Sequence, residues 1–301
     1  MRWFALIGVL VASASAVDVI VGYHEAIGIP EAARIKAAEE DIFREYEDNK
    51  ELNAPGGRIV GGVIAPTNAH PHLGGLIISF AHIAGNSVCG SSLVTTNRLL
   101  TAAHCWFDGV NQASLFTVVV GSQFLFFGDG SETRISTSTV VTHPQWTPST
   151  LANDIGVIYL PNNVLVSQSI QPIALPSGTQ LSDSFAGMWG SAAGYGKTSD
   201  AQAGVTTATQ VSQVSLQVIT VQACQAVFGH WALDSNICTN GAGGVGICGG
   251  DSGGPLIVNQ NGQNILVGIS SFVAAAGCQL GFPSAFVRVT SFHNFIMQNI
   301  L

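Results

Sequence analysis

The sequence predicts an all-β fold, a sandwich or barrel, with a charged helical segment in front of it and an amphipathic helix closing the chain. Beyond Arg58, short runs rich in Val, Ile, Leu, Phe and Thr alternate with Gly, Asn, Ser and Asp turns, which is strand spacing and not helix spacing. Of 301 residues, 47% are hydrophobic and only 9% charged, so a large core can be buried and low-hydrophobicity disorder is excluded for most of the length. The charge is uneven: Val17 to Arg58 holds ten of the 18 acidic and five of the 10 basic residues. The two parts are different materials.

In chain order, Met1 and Arg2 lead into the apolar run Trp3 to Val11, whose small-residue exit Ala14, Ser15, Ala16 describes a signal peptide cut after Ala16. The mature chain is therefore expected outside the cell. Pro30 to Leu52 begins with a proline and carries Ala33, Ile35, Ala37, Ala38, Ile42, Phe43 and Tyr46, a helical pattern with a narrow apolar stripe. It reads as a solvated amphipathic helix able to pack on another surface, or as a removable pro-segment, because the flexible stretch Asn53 to Gly57 leads into Arg58, Ile59, Val60, Gly61, Gly62. Strand-like runs follow at Gly75 to Ser79, Ser91 to Thr95, Phe116 to Val120, Ile155 to Leu160, Thr207 to Val218, Leu256 to Val258 and Asn264 to Ser270. A single amphipathic run, Ser291 to Leu301, closes the chain with Phe292, Phe295, Ile296 and Ile300 at helical spacing.

A net charge of -8 without a basic block argues against nucleic acid as a partner. Mean hydropathy of +0.39 invites a membrane reading. The uncharged stretches Ile59 to Asn97 and Ile155 to Ser182 are broken by Gly, Pro, Asn and His, whereas a spanning helix needs about 20 apolar residues in a row. No membrane partner is expected. Cys89, Cys105, Cys224, Cys238, Cys248 and Cys278 are an even set in an oxidising compartment, so three disulfides are the default. Metal binding is the weaker alternative, since neither CxxC nor His at i, i+4 occurs. The spacing alone leaves the pairing open.

The strongest chemical signal is Cys248 to Pro255, where Ser252 stands among glycines. A sharp turn of this kind frees a hydroxyl for attack and points backbone N–H groups at a developing oxyanion. Its bland alternative is a glycine-rich hairpin turn. That alternative weakens because Thr101 to Cys105 supplies an imidazole, His104, and Asn153 to Ile155 a carboxylate, Asp154, leading into an apolar strand. A carboxylate there is best explained as buried and paired. His24, His70, His72, His82, His143, His230 and His293 lack such context and read as surface or satisfied core.

These blocks, with Arg58 to Gly62 and Gly194 to Thr198, stand in the order found in chymotrypsin-fold serine endopeptidase zymogens, and residues 59–301 resemble that family. The resemblance implies two antiparallel β-barrels packed face to face with a C-terminal helix, their boundary near residues 165–175. Residues 1–16 are then a signal peptide and 17–58 an activation pro-segment. Ser252 is implied as nucleophile, His104 as base and then acid, and Asp154 as the group that fixes the imidazole. The N–H groups of Gly250 and Ser252 are implied as the oxyanion hole, and Ser271 as support for Asp154. Disulfides are implied between Cys89 and Cys105, Cys224 and Cys238, and Cys248 and Cys278. Cleavage after Arg58 would free an amine at Ile59 to bury beside Asp251. The pro-segment has no cysteine, so it is expected to leave once cut.

In the specificity pocket the resemblance places Gly246 at the base, beside Ile247, where trypsin-like members carry Asp. The opposite wall is Ser271, Phe272, Val273, an elastase-like pattern whose backbone should pair with an extended substrate. Ser284 stands where some crustacean and insect collagenolytic members carry Asp. The expected pocket is neutral and apolar, narrowed by Val273 and favouring small or medium apolar residues. The alternatives are chymotrypsin-like preference for aromatic residues or Leu and, in another class, a non-catalytic homologue acting by binding. Expected partners are protein or peptide substrates, an activating trypsin-like protease and protein protease inhibitors. No cofactor is expected, and no metal: Asp129 and Glu132 are a thin basis for calcium.

Overall fold

The computed structural model describes residues 16–49, 61–128, 130, 132–200 and 210–301. The expected signal run before Ala16, the linker and the Arg58–Ile59 junction lie outside these residues, as do the side chains of residues 45–49. Chain order gives β1 (Val63–Ile64), β2 (Leu73–Phe80), β3 (Asn86–Thr95), β4 (Arg98–Thr101), β5 (Ala113–Val120), β6 (Thr133–Thr137), β7 (Val140–Thr142) and β8 (Gly156–Tyr159). It continues with β9 (Trp189–Gly194), β10 (Ser212–Ile219), β11 (Asn236–Thr239), β12 (Pro255–Gln260), β13 (Gln263–Phe272) and β14 (Ser284–Arg288).

Strands β2 to β8 form one sheet in the order β6-β5-β2-β3-β4-β8-β7, a half-barrel. The remaining strands run β1-β10-β11-β14-β13-β12-β9, and pairing of β9 with β10 closes six of them into a barrel. The chain crosses to the first sheet after β1 and back to the second over residues 160–188. Leu76, Ile78, Leu93, Leu99, Leu100 and Phe116 fill the first, and Leu216, Ile237, Leu256, Val267 and Phe286 the second. Each such side chain contributes about 1.5–3 kcal/mol by leaving water. The expected runs at Gly75, Ser91, Phe116, Leu256 and Asn264 lie inside β2, β3, β5, β12 and β13. Those at Ile155 and Thr207 overlap β8 and β10, although residues 207–209 are not described.

Two glycine contacts tie the sheets where the functional blocks meet. Gly90 N–H donates to the Ser252 carbonyl at 2.6 Å, and a Cβ on Gly90 would stand 2.8 Å from the Gly254 Cα. Only glycine lets the two backbones come this close. Disulfides join Cys89 to Cys105, Cys224 to Cys238 and Cys248 to Cys278.

Three α-helices are described, α1 (Ile29–Asn49), α2 (Val221–Phe228) and α3 (His293–Ile300). The expectation of one helical run after Arg58 is corrected by α2, which is marked by its N-cap: the Thr220 side chain accepts from Ala223 N–H at 3.3 Å. Helix α1 follows a single π-helical turn, His24–Gly28, and it is amphipathic, packed along one face and exposed along the other. Ala32, Ile35, Ala38, Glu39 and Ile42 are buried on one face, while Ala33 of the expected stripe is exposed. Arg98 in β4 lays its guanidinium 4.0 Å from the Tyr159 ring centroid. Among the described residues no helix is long and apolar enough to cross a membrane.

Candidate active site

Register brings His104 to Asp154. Strands β4 and β8 are antiparallel with Thr101 opposite Gly156, so the turn that follows β4 lies beside the residues that precede β8. His104 sits in that turn, Ala103–Cys105, anchored by the Cys89 disulfide. Asp154 is fully buried and its carboxylate takes three bonds. Oδ1 accepts the His104 backbone N–H at 2.8 Å, Oδ2 lies 2.8 Å from His104 Nδ1, and Ser271 Oγ donates to Oδ2 at 2.6 Å. Charge-assisted bonds of this length hold an imidazole in one orientation. Its other nitrogen, Nε2, is buried and has no hydrogen-bond partner among the described residues.

Ser252 is half-buried at the mouth of the turn that enters β12. The turn depends on left-handed glycines, Gly250 at φ +96° and Gly253 at φ +79°. A Cβ on Gly250 would stand 2.8 Å from the Gly196 Cα, and one on Gly253 would strike Thr101 and the Gly90 carbonyl. Asp251, buried behind the turn, accepts from Gly196 N–H and Cys248 N–H, each at 3.0 Å. Burial pushes its carboxyl up to about 7, nearby Glu31 adds to the rise and Arg34 opposes it. Cβ atoms on Gly194 or Gly196 would collide with Asp251, so the glycines of that block make room for the carboxylate.

The cleft in front of Ser252 and His104 is walled by Ile247, Cys248, Gly249, Ser271, Phe272 and Val273. Gly246 and Ser284 face each other: a Cβ at Gly246 would stand 2.5 Å from Ser284 Oγ, which accepts Ile247 N–H at 3.2 Å. Neither carries charge. Ile247 is buried in the second core, and Val273 and Val245 are packed against it. Asp129 is outside the described residues, and Glu132 is held by Gly130 N–H at 2.8 Å and Arg134 at 3.2 Å. The acid, thiol and imidazole clusters near His104 and near Asp200 contain cysteines already joined in disulfides, which leaves no thiolate to bind a metal.

The sequence reading did not anticipate that Ile20, Gly22, Tyr23 and Ile27 also line this cleft. Tyr23 packs its ring 4.8 Å from that of His104. His24, read as an ordinary histidine, is buried beside it, with Nδ1 2.9 Å from Ser87 Oγ and Nε2 without a partner among the described residues. No local motif signals these positions. Glu39 did leave a trace, an acid on the same helical face as Ile35, Ala38 and Ile42.

The chain is similar to proteins already known. The trypsin family model matches residues 59–296. Brachyurin of Leptuca pugilator is 38% identical over 238 residues, 79% of this chain and 96% of that protein. Chymotrypsin-like elastase family member 1 of Rattus norvegicus is 31% identical over 267 residues, 85% of this chain and 92% of that protein. The solved structure of HL collagenase superposes with a TM-score of 0.71 at 33% identity, covering 80% of this chain and 98% of that one.

Proposed function

Because this chain belongs to the trypsin family of serine endopeptidases, we propose that Ser252, His104 and Asp154 are the triad with which it hydrolyses peptide bonds in proteins. The observation that carries the proposal is Asp154, which grips both the backbone N–H and Nδ1 of His104. With Nδ1–H donated to the carboxylate, Nε2 is left as the base. Ser252 Oγ attacks the scissile carbonyl carbon while its proton passes to Nε2, and the oxyanion is received by the N–H groups of Gly250 and Ser252. Each such donor is worth about 2.7–4 kcal/mol to the transition state. Collapse expels the amine with the proton from Nε2, leaving an acyl-enzyme that water cleaves by the same steps in reverse.

The same reading makes residues 1–16 a signal peptide of a secreted precursor, 17–58 an activation segment, and 59–301 the mature enzyme with its barrels meeting near residues 165–175. Cleavage after Arg58 frees an ammonium at Ile59, whose natural counter-ion is the buried Asp251. Its carboxyl, lifted to about 7 by burial, gains a cation at that point, so the pair acts as a switch. An arginine before the cut calls for an activating protease of trypsin-like specificity. A neutral base at Gly246 and Ser284, with Val273 on the wall, favours small or medium apolar residues before the scissile bond. A buried cation without a partner costs more than such a slot returns. Protein protease inhibitors are expected partners of the same cleft, and the kinship with HL collagenase puts collagen among the substrates to assay.

The test is kcat/KM for matched Ala, Leu, Phe and Arg peptides on the precursor before and after trypsin, with Ser252→Ala as control. The precursor should be inert, Ser252→Ala inactive in both states, and Ala or Leu preferred. Val273→Gly should raise activity on Phe peptides by about tenfold, a gain of about 1.4 kcal/mol at the transition state. Turnover by Ser252→Ala would overturn the triad, and preference for Arg would overturn the pocket.

A further inference from the structure

We propose that the N-terminal segment, residues 17–49, is an inhibitor of this enzyme that stays on the cleft after cleavage at Arg58, with Tyr23 as the plug. The inference rests on the reading above, in which Ser252 is the nucleophile and residues 17–58 are cut from the enzyme.

The segment holds the catalytic part on both sides of Ser252 and at it. On one side it lies extended: Val17 N–H donates to the Val227 carbonyl of α2 at 3.0 Å, Ala275 N–H donates to the Asp18 carbonyl at 2.8 Å, and Val19 and Ala274 form a single antiparallel bridge. This continues from Val273 along the edge where an extended substrate would pair. Gly22, at φ +76°, then turns the chain into the cleft. There Tyr23 is buried, its hydroxyl donating to the Val88 carbonyl at 2.7 Å and lying against the Ser252 hydroxyl and the Gly250 backbone. The phenol oxygen thus sits beside the group that would attack and the group that would receive the oxyanion. The His104 ring, tilted against that of Tyr23, has no bond from Nε2 among the described residues.

On the far side the hold is helical. Glu31 pairs with Lys197 at 3.2 Å, and Glu39 accepts the N–H groups of Leu125, Phe126 and Phe127 at 2.7, 2.8 and 2.7 Å. Phe43 packs on Phe124 and Phe127 with centroids 5.3 and 5.7 Å away. None of these contacts involves Arg58 or the linker before it. Cutting there removes the covalent tie and leaves every one of them in place, contrary to the expectation that the segment departs for want of a disulfide.

The segment is a poor substrate for the same geometric reason. What reaches Ser252 is a side-chain phenol, which has no acyl group to transfer. From His24 the backbone is already helical, and a helix cannot offer the extended carbonyl that attack requires.

The experiment uses trypsin-cleaved protein whose active sites are counted with a phosphonylating reagent. Before separation, the segment should co-elute with the enzyme on gel filtration, and activity per titrated site should rise at least tenfold on dilution. A synthetic peptide of residues 17–49, added to enzyme freed of its segment, should restore inhibition competitively without being cleaved. The Tyr23→Ala peptide should inhibit at least tenfold less well. Enzyme that is active and titratable but indifferent to the peptide would overturn the inference alone. So would cleavage of the peptide, or equal potency of the Tyr23→Ala peptide. Enzyme that neither titrates nor turns over after the segment is removed would overturn the underlying reading and the inference with it.

Discussion

The N-terminal segment and the barrels both bury carboxylates, and they satisfy them in different ways. Asp154 and Asp251 stand in turns and are held mostly by backbone and side chains of the same two sheets, within a frame of ladders and three disulfides. Glu31 and Glu39 stand on a helix and find partners across a surface, at Lys197 and at Leu125 to Phe127, although Glu31 is also held by Arg34 of its own helix at 2.9 Å. The first pattern builds a site that cannot come apart without unfolding. The second builds a contact that can be made and unmade while the barrels stay folded.

The largest expected effect tests whether catalysis belongs to the barrels alone. Asp154→Asn should lower kcat by about four orders of magnitude, since the imidazole loses its tautomer. Binding of the 17–49 peptide, read by calorimetry, should be unchanged. Release of the segment by this substitution would merge the two regions into one unit.

A smaller effect should follow at the helix. Glu39→Ala leaves three N–H groups without their acceptor, and loss of a buried partner costs about 1–3 kcal/mol. The peptide carrying that substitution should bind roughly ten- to a hundredfold more weakly. In the precursor the same change should leave the unfolding midpoint of the barrels nearly where it was. A matched fall in both would mean that the helix is part of the catalytic fold.

The smallest effect is a compensation in pH. Burial raises Glu39 from 4.5 to about 7, against its three N–H bonds and Arg134. Docking therefore favours its protonated form, is strongest below 4.5, and weakens as pH rises through 7. Burial lowers His24 from 6.5 to about 4, with Asp108 opposing and His104 reinforcing the shift. Docking favours neutral His24, is strongest above 6.5, and weakens as pH falls through 4. Between pH 4.5 and 6.5 the two oppose each other, so affinity measured by calorimetry should be nearly flat. With Glu39→Gln the compensation disappears, and affinity should fall on acidification by up to about tenfold per pH unit. A flat profile in that variant would remove His24 from the account.

The sequence made the two regions unequally legible. Ser252, His104 and Asp154 could be singled out because each lies in a short block whose glycines, cysteines and flanking strand impose local geometry. The long apolar strands β2, β3, β5 and β13 were legible for the same local reason. Strands β1, β4 and β7 were not, being two to four residues long and set by their neighbours in the sheet. Tyr23 could not be found this way. Its partners Val88, His104 and Ser252 are brought to it only by docking, and a tyrosine after a glycine has no pattern of its own.

The placement of the few basic residues has a consequence for how the precursor ages among other proteases. Trypsin-like enzymes nick exposed loop tips, and Arg98, Arg134 and Arg288 lie within strands β4, β6 and β14, while Arg34, Lys36 and Arg44 lie within α1. Of the basic residues described, only Lys197 lies outside a strand or helix, and its ammonium is held by Glu31. Folding thus sets an order of events: bonds after residues locked in regular structure are spared while the protein stays folded. A digest rich in trypsin should therefore act on this molecule as a clock that ticks early, at Arg58 and Lys50, converting the precursor, and then leaves the folded product long-lived.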